Sequence, residues 1–174
     1  MKKALAVLCS LAIMLVCVGG CGAAGENPFT AENAIKGQIG DLYYVVPGNA
    51  VFTESSTDSA CFYSIPIENS SEEYILSIRY YSFEADDEYN EAIQLMENTT
   101  QELDNTTHEY ENLTEFLGEN VDYGIKVNYD VDGQKSVGVS VAKDHKCYMI
   151  QYRVKSGFYD QAVWDNFYAQ LKFV

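Results

Sequence analysis

The run from Val121 to Val131 is the feature that most constrains the fold of this chain. Its odd-numbered positions are all apolar or aromatic and its even-numbered positions are polar or glycine, which is the two-residue period of a β-strand with one buried face. The dipeptide Asp132-Gly133 follows directly and favours a two-residue hairpin turn. Two further alternating runs come next, at 137–141 and 148–154, with a turn between them. The sequence therefore predicts an antiparallel meander of three strands whose apolar side chains share one buried face.

Shorter β-rich runs and two helical segments complete the predicted fold. The β-rich runs are 40–47, 60–67 and 74–83. Apolar residues recur at helical spacing from Tyr89 to Leu103, and the acidic residues just before them suit the start of a helix. A second helix is predicted at about 159–171. We interpret 108–120 as a loop with short irregular structure.

The order of these elements resembles the PsbP-like fold of small extracytoplasmic lipoproteins. Two landmarks carry the resemblance: Val46-Pro47 near the start of the domain, and Trp164, Phe167 and the terminal Leu171-Lys172-Phe173 at its end. The resemblance spans about residues 37–174. It implies an α+β domain in which an antiparallel sheet of about six strands packs against a long central helix and a C-terminal helix. It also implies a binding or assembly module without catalysis.

The first twenty residues are organised like a secretory signal peptide. Lys2 and Lys3 form a short positive segment, and residues 4–18 are apolar apart from Ser10. This apolar run is shorter than the roughly 20 residues that a transmembrane helix needs. Residues 1–20 therefore predict a cleavable signal peptide.

The end of this segment, Val18-Gly19-Gly20-Cys21, resembles the bacterial lipobox. In that family the cysteine thiol receives diacylglycerol and the chain is cut just before it, so the resemblance implies that Cys21 is the lipid attachment site. Two acyl chains hold a protein stably at a bilayer. We therefore expect a protein anchored on the extracytoplasmic side of the cell membrane, with a flexible tether at 21–36 and a domain at 37–174. A plain secreted protein and an uncleaved anchor are the alternatives.

Acidic residues dominate the mature chain. Loss of Lys2 and Lys3 with the signal peptide leaves nine basic against 26 acidic residues, a formal net charge of −17. Proteins that bind nucleic acid present basic patches, so this balance argues against nucleic acid as a partner. The acidic surface serves solvation, or it recruits cations or a basic partner.

Two cysteines stay in the domain once Cys9 and Cys17 leave with the signal peptide and Cys21 takes the lipid. They are Cys61 and Cys147. An extracytoplasmic location permits a disulfide between them, and two buried thiols are the alternative.

Three basic residues form the candidate binding site. Arg79, Lys126 and Arg153 all have the outward parity of their predicted strands. If the strand register brings them together, they form a small basic site on an acidic protein. Ordinary cross-strand pairing with aspartate or glutamate is the alternative.

No motif identifies a catalytic or metal site. The run 128–133 matches the first half of an EF-hand loop, but the twelfth position, which needs glutamate, is Val139. Residues 140–143 have the S-x-x-K spacing of penicillin-interacting enzymes without the two further motifs. His145 and Cys147 stand two apart in one segment, which is no catalytic arrangement. We therefore expect neither an enzyme nor a protein with a cofactor or resident metal.

Two functions are compatible with these observations. The first is a membrane-anchored module of the cell envelope that binds another envelope protein through its sheet face or a helix surface. The second is a ligand-binding module for a cation such as Ca²⁺ or for a cell-wall glycan.

Overall fold

The computed structural model describes residues 27–53, 59–103 and 107–174. The predicted signal peptide and Cys21 lie outside these residues. The strands are β1 (Ile35–Ile39), β2 (Leu42–Val46), β3 (Val51–Thr53), β4 (Ala60–Pro66), β5 (Glu73–Ser82), β6 (His108–Asn112), β7 (Glu115–Phe116), β8 (Glu119–Asn120), β9 (Tyr123–Val131), β10 (Gln134–Lys143), β11 (Lys146–Lys155) and β12 (Lys172–Phe173). The helices are α1 (Asp86–Gln101) and α2 (Gln161–Tyr168), with one 3-10 turn at Ser156–Phe158.

The predicted α+β class with antiparallel sheets is confirmed, and the sheet is larger than predicted. Seven strands form the main sheet in the order β3-β4-β5-β11-β10-β9-β6, where about six were expected. The strand predicted at 40–47 is not among them, because β2 pairs with β1 and β12 in a separate three-stranded sheet. The segment 108–120, predicted as loop, contains β6, which pairs with β9 at the edge of the main sheet.

Strands β9, β10 and β11 form the predicted meander, but its faces differ from the prediction. Asp132 (φ 53°) and Gly133 (φ 73°) both adopt the left-handed conformation that a two-residue hairpin turn requires. This turn pairs Val131 with Gln134, so odd-numbered residues of β9 lie opposite even-numbered residues of β10. The apolar side chains of β9 therefore lie on the other face from the valines at 137, 139 and 141, and the expectation of one shared buried face is wrong.

The core lies on the face of the main sheet that carries Ile78, Ile150 and Val139, three residues placed side by side by the register. The small sheet β1-β2-β12 and helix α2 cover this core face. Trp164 and Phe167 of α2 are buried in the same cluster. A side-chain cap starts α2, because Asp160 accepts a hydrogen bond from the backbone amide of Ala162 over 2.9 Å.

Residues 27–36 belong to the domain, whereas the sequence predicted a tether through residue 36. Phe29 is only 2% exposed and packs against Phe167, with ring centroids 6.2 Å apart. The side-chain amide of Asn27 donates a hydrogen bond to Asn166 on α2 over 2.7 Å. The mixed polarity and proline of this segment resemble a linker, but its one phenylalanine fills a core position.

Helix α1 lies on the opposite side of the main sheet, which we name the open face. Tyr89, Ile93 and Met96 pack against Ala142 and Cys147 at one end of that face. The prediction of a long central helix is therefore wrong in position, since the 16-residue α1 packs against one end of the open face. Within the described ranges, no helix is both long and apolar enough to cross a membrane.

Candidate functional site on the open sheet face

The strand register sets out the side chains of the open face in rows that cross the strands. Each row takes one residue from β5, β11, β10 and β9 in turn. The first row beyond α1 is Arg79, Met149, Ser140 and Ile125, the next is Ser77, Gln151, Gly138 and Val127, and the third is Ile75, Arg153, Ser136 and Tyr129.

Small residues on β10 produce a groove in the middle of these rows. Ser136, Gly138 and Ser140 have short side chains or none, while the neighbouring strands carry larger ones. The groove has a volume of about 330 Å³. Leu103, just after α1, and His108 on β6 close its sides. The open face is therefore concave along β10, because the side chains of β9 and β11 on either side project further from the sheet.

The two sides of the groove are joined across its floor. The side-chain amide of Gln151 on β11 donates a hydrogen bond to the hydroxyl of Tyr129 on β9 over 3.3 Å. The Tyr129 ring also lies 5.9 Å from the ring of His108. These contacts fix an aromatic wall on the β9 side of the groove.

The charge of the groove differs from that of the chain. None of the described residues that line it is acidic, although the chain has 26 acidic residues. Arg79 stands at the rim, where its guanidinium lies 5.4 Å from the centre of the Phe62 ring. No described carboxylate forms an ion pair with Arg79. Arg79 is thus the one permanently charged side chain among the described residues that line the groove.

The structure does not bring the three predicted basic residues together. Arg79 and Arg153 both lie on the open face, but Arg153 pairs with Ile75, four residues along β5 from Arg79. That separation is about 13 Å. Lys126 lies on the core face between Val139 and Glu111, because the two-residue turn reverses the parity of β9 relative to β10. Of the three, Arg79 is the one that lines the groove.

The two cysteines of the domain lie on opposite faces of the main sheet. Cys61 pairs with Ile78 on the core face, and Cys147 pairs with Tyr81 on the open face. Since the sheet separates them, they form no disulfide with each other. Burial raises the pKa of the Cys147 thiol to about 11.

A polar cluster near Cys147 attaches α1 to the sheet. His145 Nε2 lies 2.7 Å from Asp86 Oδ1, and the His145 ring lies 4.9 Å from that of Tyr89. The Tyr89 hydroxyl donates a hydrogen bond to Asp122 over 2.6 Å. A cysteine nucleophile needs a lowered pKa, and the pKa of Cys147 is raised. The cluster therefore has the chemistry of a structural attachment.

In the described part of the chain, no group of three or more histidine, cysteine, aspartate or glutamate side chains is arranged to hold a metal ion. At the 128–133 turn, the Asp130 carboxylate accepts a hydrogen bond from the Ser156 hydroxyl over 2.7 Å. This contact ties the turn to the segment after β11.

Sequence reasoning missed the groove itself. Its signal was present, because Ser136, Gly138 and Ser140 alternate with the buried valines of β10. A glycine inside a strand often marks a place where a ligand or another chain segment approaches the backbone closely. The sequence predicted that the apolar residues of the three strands share one face, which put these small residues on the same face as Lys126 and Asn128. Their position at the centre of a concave face was therefore not visible.

Comparison with known proteins shows the fold. No family model matches the sequence, and no curated protein matches it. Among solved structures, the solution structure of cyanobacterial PsbP (CyanoP) from Synechocystis sp. PCC 6803 is similar with a TM-score of 0.52 at 12% identity, covering 90% of this chain and 99% of that chain. The Saccharomyces cerevisiae Ran-binding protein Mog1p gives a TM-score of 0.48 at 12% identity, covering 83% and 97%. The domain therefore has a PsbP-like fold, as its element order predicted.

Proposed function

We propose that this protein is a lipid-anchored, non-catalytic binding module of the cell envelope, which holds another envelope protein at the groove of its open face. The groove is the observation that carries this proposal. Helix α1 covers one end of the open face, and beyond it a concavity of about 330 Å³ is open to a partner. This volume lies at the lower end of the range for ligand sites in proteins.

The anchor rests on the sequence around Cys21. A charged start, an apolar run and a lipobox-like cysteine together support lipidation. Five residues separate Cys21 from Asn27, which already bonds to α2. Because one extended residue spans at most about 3.6 Å, the domain would stay within roughly 20 Å of the acylated cysteine.

The groove and the start of the described chain lie on opposite sides of the main sheet, which is compatible with such an anchor. Asn27 and Phe29 contact α2 on the core side of the main sheet, while the groove lies on the other side. A bilayer attached through Cys21 would therefore leave the open face accessible to a partner.

The binding role is tested by affinity capture from detergent-solubilised membranes with the full chain. Ser140→Trp fills the groove, and Ser82→Trp places the same side chain at an exposed position outside it. We expect the wild type and Ser82→Trp to retain one specific envelope protein, and Ser140→Trp to lose it. Retention by Ser140→Trp, or repeated recovery of no specific protein, contradicts the proposal.

The anchor is tested separately by membrane fractionation of Cys21→Ala. Loss of the acylated thiol should move the protein from the membrane fraction to the soluble fraction. Unchanged membrane retention of this variant would overturn the anchor assignment.

A further inference from the structure

We infer that the groove of the open face takes a carboxylate with a compact apolar or aromatic body, and that Arg79 and Ser77 bind the carboxylate. The inference rests on the proposed function, since it specifies the ligand chemistry of the same groove. Arg79 and Ser77 lie two residues apart on β5 and face the same side, so their Cα atoms are about 7 Å apart. At that spacing the hydroxyl of Ser77 and the long guanidinium side chain of Arg79 can both reach one carboxylate that lies in the groove.

The charge around the groove favours an anion. The chain carries 26 acidic residues, yet the described lining contains none and includes an arginine. No ion pair to Arg79 is formed by any carboxylate in the described ranges. An anion is therefore better placed here than against the surrounding acidic surface.

The hydroxyl of Ser77 is a buried donor beside the groove. Ser77 is 5% exposed, and no described residue makes a hydrogen bond with its hydroxyl. Its oxygen is nevertheless not sealed inside the protein, because every fully enclosed polar side-chain atom among the described residues has a partner. Buried polar groups are nearly always hydrogen-bonded. We therefore expect the hydroxyl of Ser77 to donate a hydrogen bond to an oxygen of a ligand that enters the groove.

The walls of the groove indicate the rest of the ligand. Val127, Leu103 and Met149 line the groove with apolar surface, and Tyr129 and His108 add two aromatic rings. Such walls suit an apolar or aromatic body beside the carboxylate. A phosphate would need more donors, because its recognition normally uses several cationic groups or a helix N-terminus.

Two sources share this chemistry: a free aromatic or aliphatic acid, and the C-terminal carboxylate of a partner protein with its last apolar side chain. Both present one carboxylate beside a compact apolar group. N-acetyl-L-phenylalanine contains this shared part, and N-acetyl-L-phenylalaninamide has the same shape without the charge.

The test is calorimetric titration of the full detergent-solubilised chain with both probes. We expect the acid to bind at least about tenfold more tightly than the amide, the difference that one charge-assisted hydrogen bond produces. Arg79→Gln should remove this preference, and Arg79→Lys should retain part of it. Arg153→Gln is the matched control, because it removes the same charge from the same face outside the groove.

Ser77→Ala gives a second measurement with little risk to folding, since it removes one hydroxyl. It should weaken binding of the acid more than binding of the amide, because a hydrogen bond to a carboxylate is stronger than one to a neutral carbonyl. A pentapeptide ending in phenylalanine, with and without a free carboxylate, distinguishes the sources. Tighter binding of the free-ended peptide than of N-acetylphenylalanine supports a protein C-terminus, and equal or weaker binding supports a small acid.

Equal binding of acid and amide, equal losses in Arg79→Gln and Arg153→Gln, or no binding of the acid at millimolar concentration would each overturn the inference. The proposed function fails by a different measurement. If Ser140→Trp still abolishes capture of the envelope protein while acid and amide bind alike, the groove is a binding site and the carboxylate assignment alone is wrong. If capture is also unaffected, both are wrong.

Discussion

Gln151 on β11 reaches across β10 to donate a hydrogen bond to the hydroxyl of Tyr129 on β9, 3.3 Å away. The two strands are not neighbours, and Gly138 is the residue of β10 that pairs with Gln151. The contact exists because Gly138 has no side chain to separate the two partners. This glycine therefore holds the groove open.

Gly138→Val should close the groove. A Cβ at Gly138 would lie 3.0 Å from the carbonyl oxygen of Ile150, and the two methyl groups of valine would enter the space between Gln151 and Tyr129. We expect binding of N-acetylphenylalanine to be lost, with a decrease of about 1–3 kcal/mol in the free energy of unfolding from overpacking. Calorimetric titration and urea unfolding measure the two effects.

Gly157→Val is the matched control for this variant. A Cβ at Gly157 meets no atom within 4 Å, and the residue lies in the 3-10 turn after β11. Binding by Gly157→Val should equal that of the wild type. Undiminished binding by Gly138→Val would show that the ligand sits elsewhere.

Tyr89→Phe should loosen α1. The Tyr89 side chain is largely buried, and its hydroxyl donates a hydrogen bond to Asp122 over 2.6 Å. Burial is the larger cause, and this hydrogen bond the next, of the raised pKa of Tyr89. Its removal should lower the free energy of unfolding by about 1–2 kcal/mol, because hydrogen bonds to charged groups are stronger than neutral ones. Urea unfolding followed by circular dichroism measures the change.

The exposed Tyr110 on β6 provides the control, since loss of an exposed hydroxyl changes stability by less than about 0.5 kcal/mol. Equal stability of Tyr89→Phe and Tyr110→Phe would mean that the bond to Asp122 does not hold α1.

Cys147 should react slowly with thiol reagents in the folded protein. Burial raises its pKa from 9.0 to about 11, so the thiolate fraction at pH 8 falls roughly a hundredfold. The rate of alkylation should increase as the pH rises towards 11, and in the unfolded chain the increase should come near pH 9. Mass spectrometry of the peptide that contains Cys147 measures both rates.

The same peptide map tests the position of the two cysteines. Cys61 and Cys147 lie on opposite faces of the main sheet, so no peptide pair joined by a disulfide between them should appear without reduction. Detection of that pair would contradict the register of β4, β5 and β11.

Phe29→Ala should destabilise the domain by about 3–5 kcal/mol, the usual cost of removing a fully buried phenylalanine. The reason is that Phe29 fills the core beside Phe167. Glu32→Ala, at an exposed position in the same segment, should change the free energy of unfolding by less than about 0.5 kcal/mol. If Phe29→Ala behaved like Glu32→Ala, residues 27–36 would be a tether after all.

The sequence was sufficient for the class of fold and for its central meander. The unbroken alternation from Val121 to Val131 and the Asp132-Gly133 turn specify antiparallel strands without help from distant residues. The sequence could not show which sheet each strand joins, because β2 pairs with β12 from the far end of the chain. Strand periodicity does not identify such a partner.

The site was predictable in part. Arg79 and Arg153 lie on the open face, as the parity of their strands predicted. Lys126 lies on the core face instead, because the two-residue turn places odd-numbered residues of β9 opposite even-numbered residues of β10. Ser77 carried no signal at all in the sequence. Its importance comes from being buried without a described hydrogen-bond partner beside a groove, and both properties arise only when five strands are assembled.

Site-specific photo-crosslinking in cells that carry the full chain tests most directly whether the groove holds the partner protein. A photoreactive residue at Met149 replaces a long side chain that lines the groove and is 38% exposed, so it does not fill the space that the partner needs. One at the exposed Gln161 lies on α2, on the other side of the main sheet. We expect an adduct between position 149 and one envelope protein in the membrane fraction, and no such adduct from position 161. An adduct from position 161 alone, or none from position 149, would contradict the assignment of the groove as the partner site.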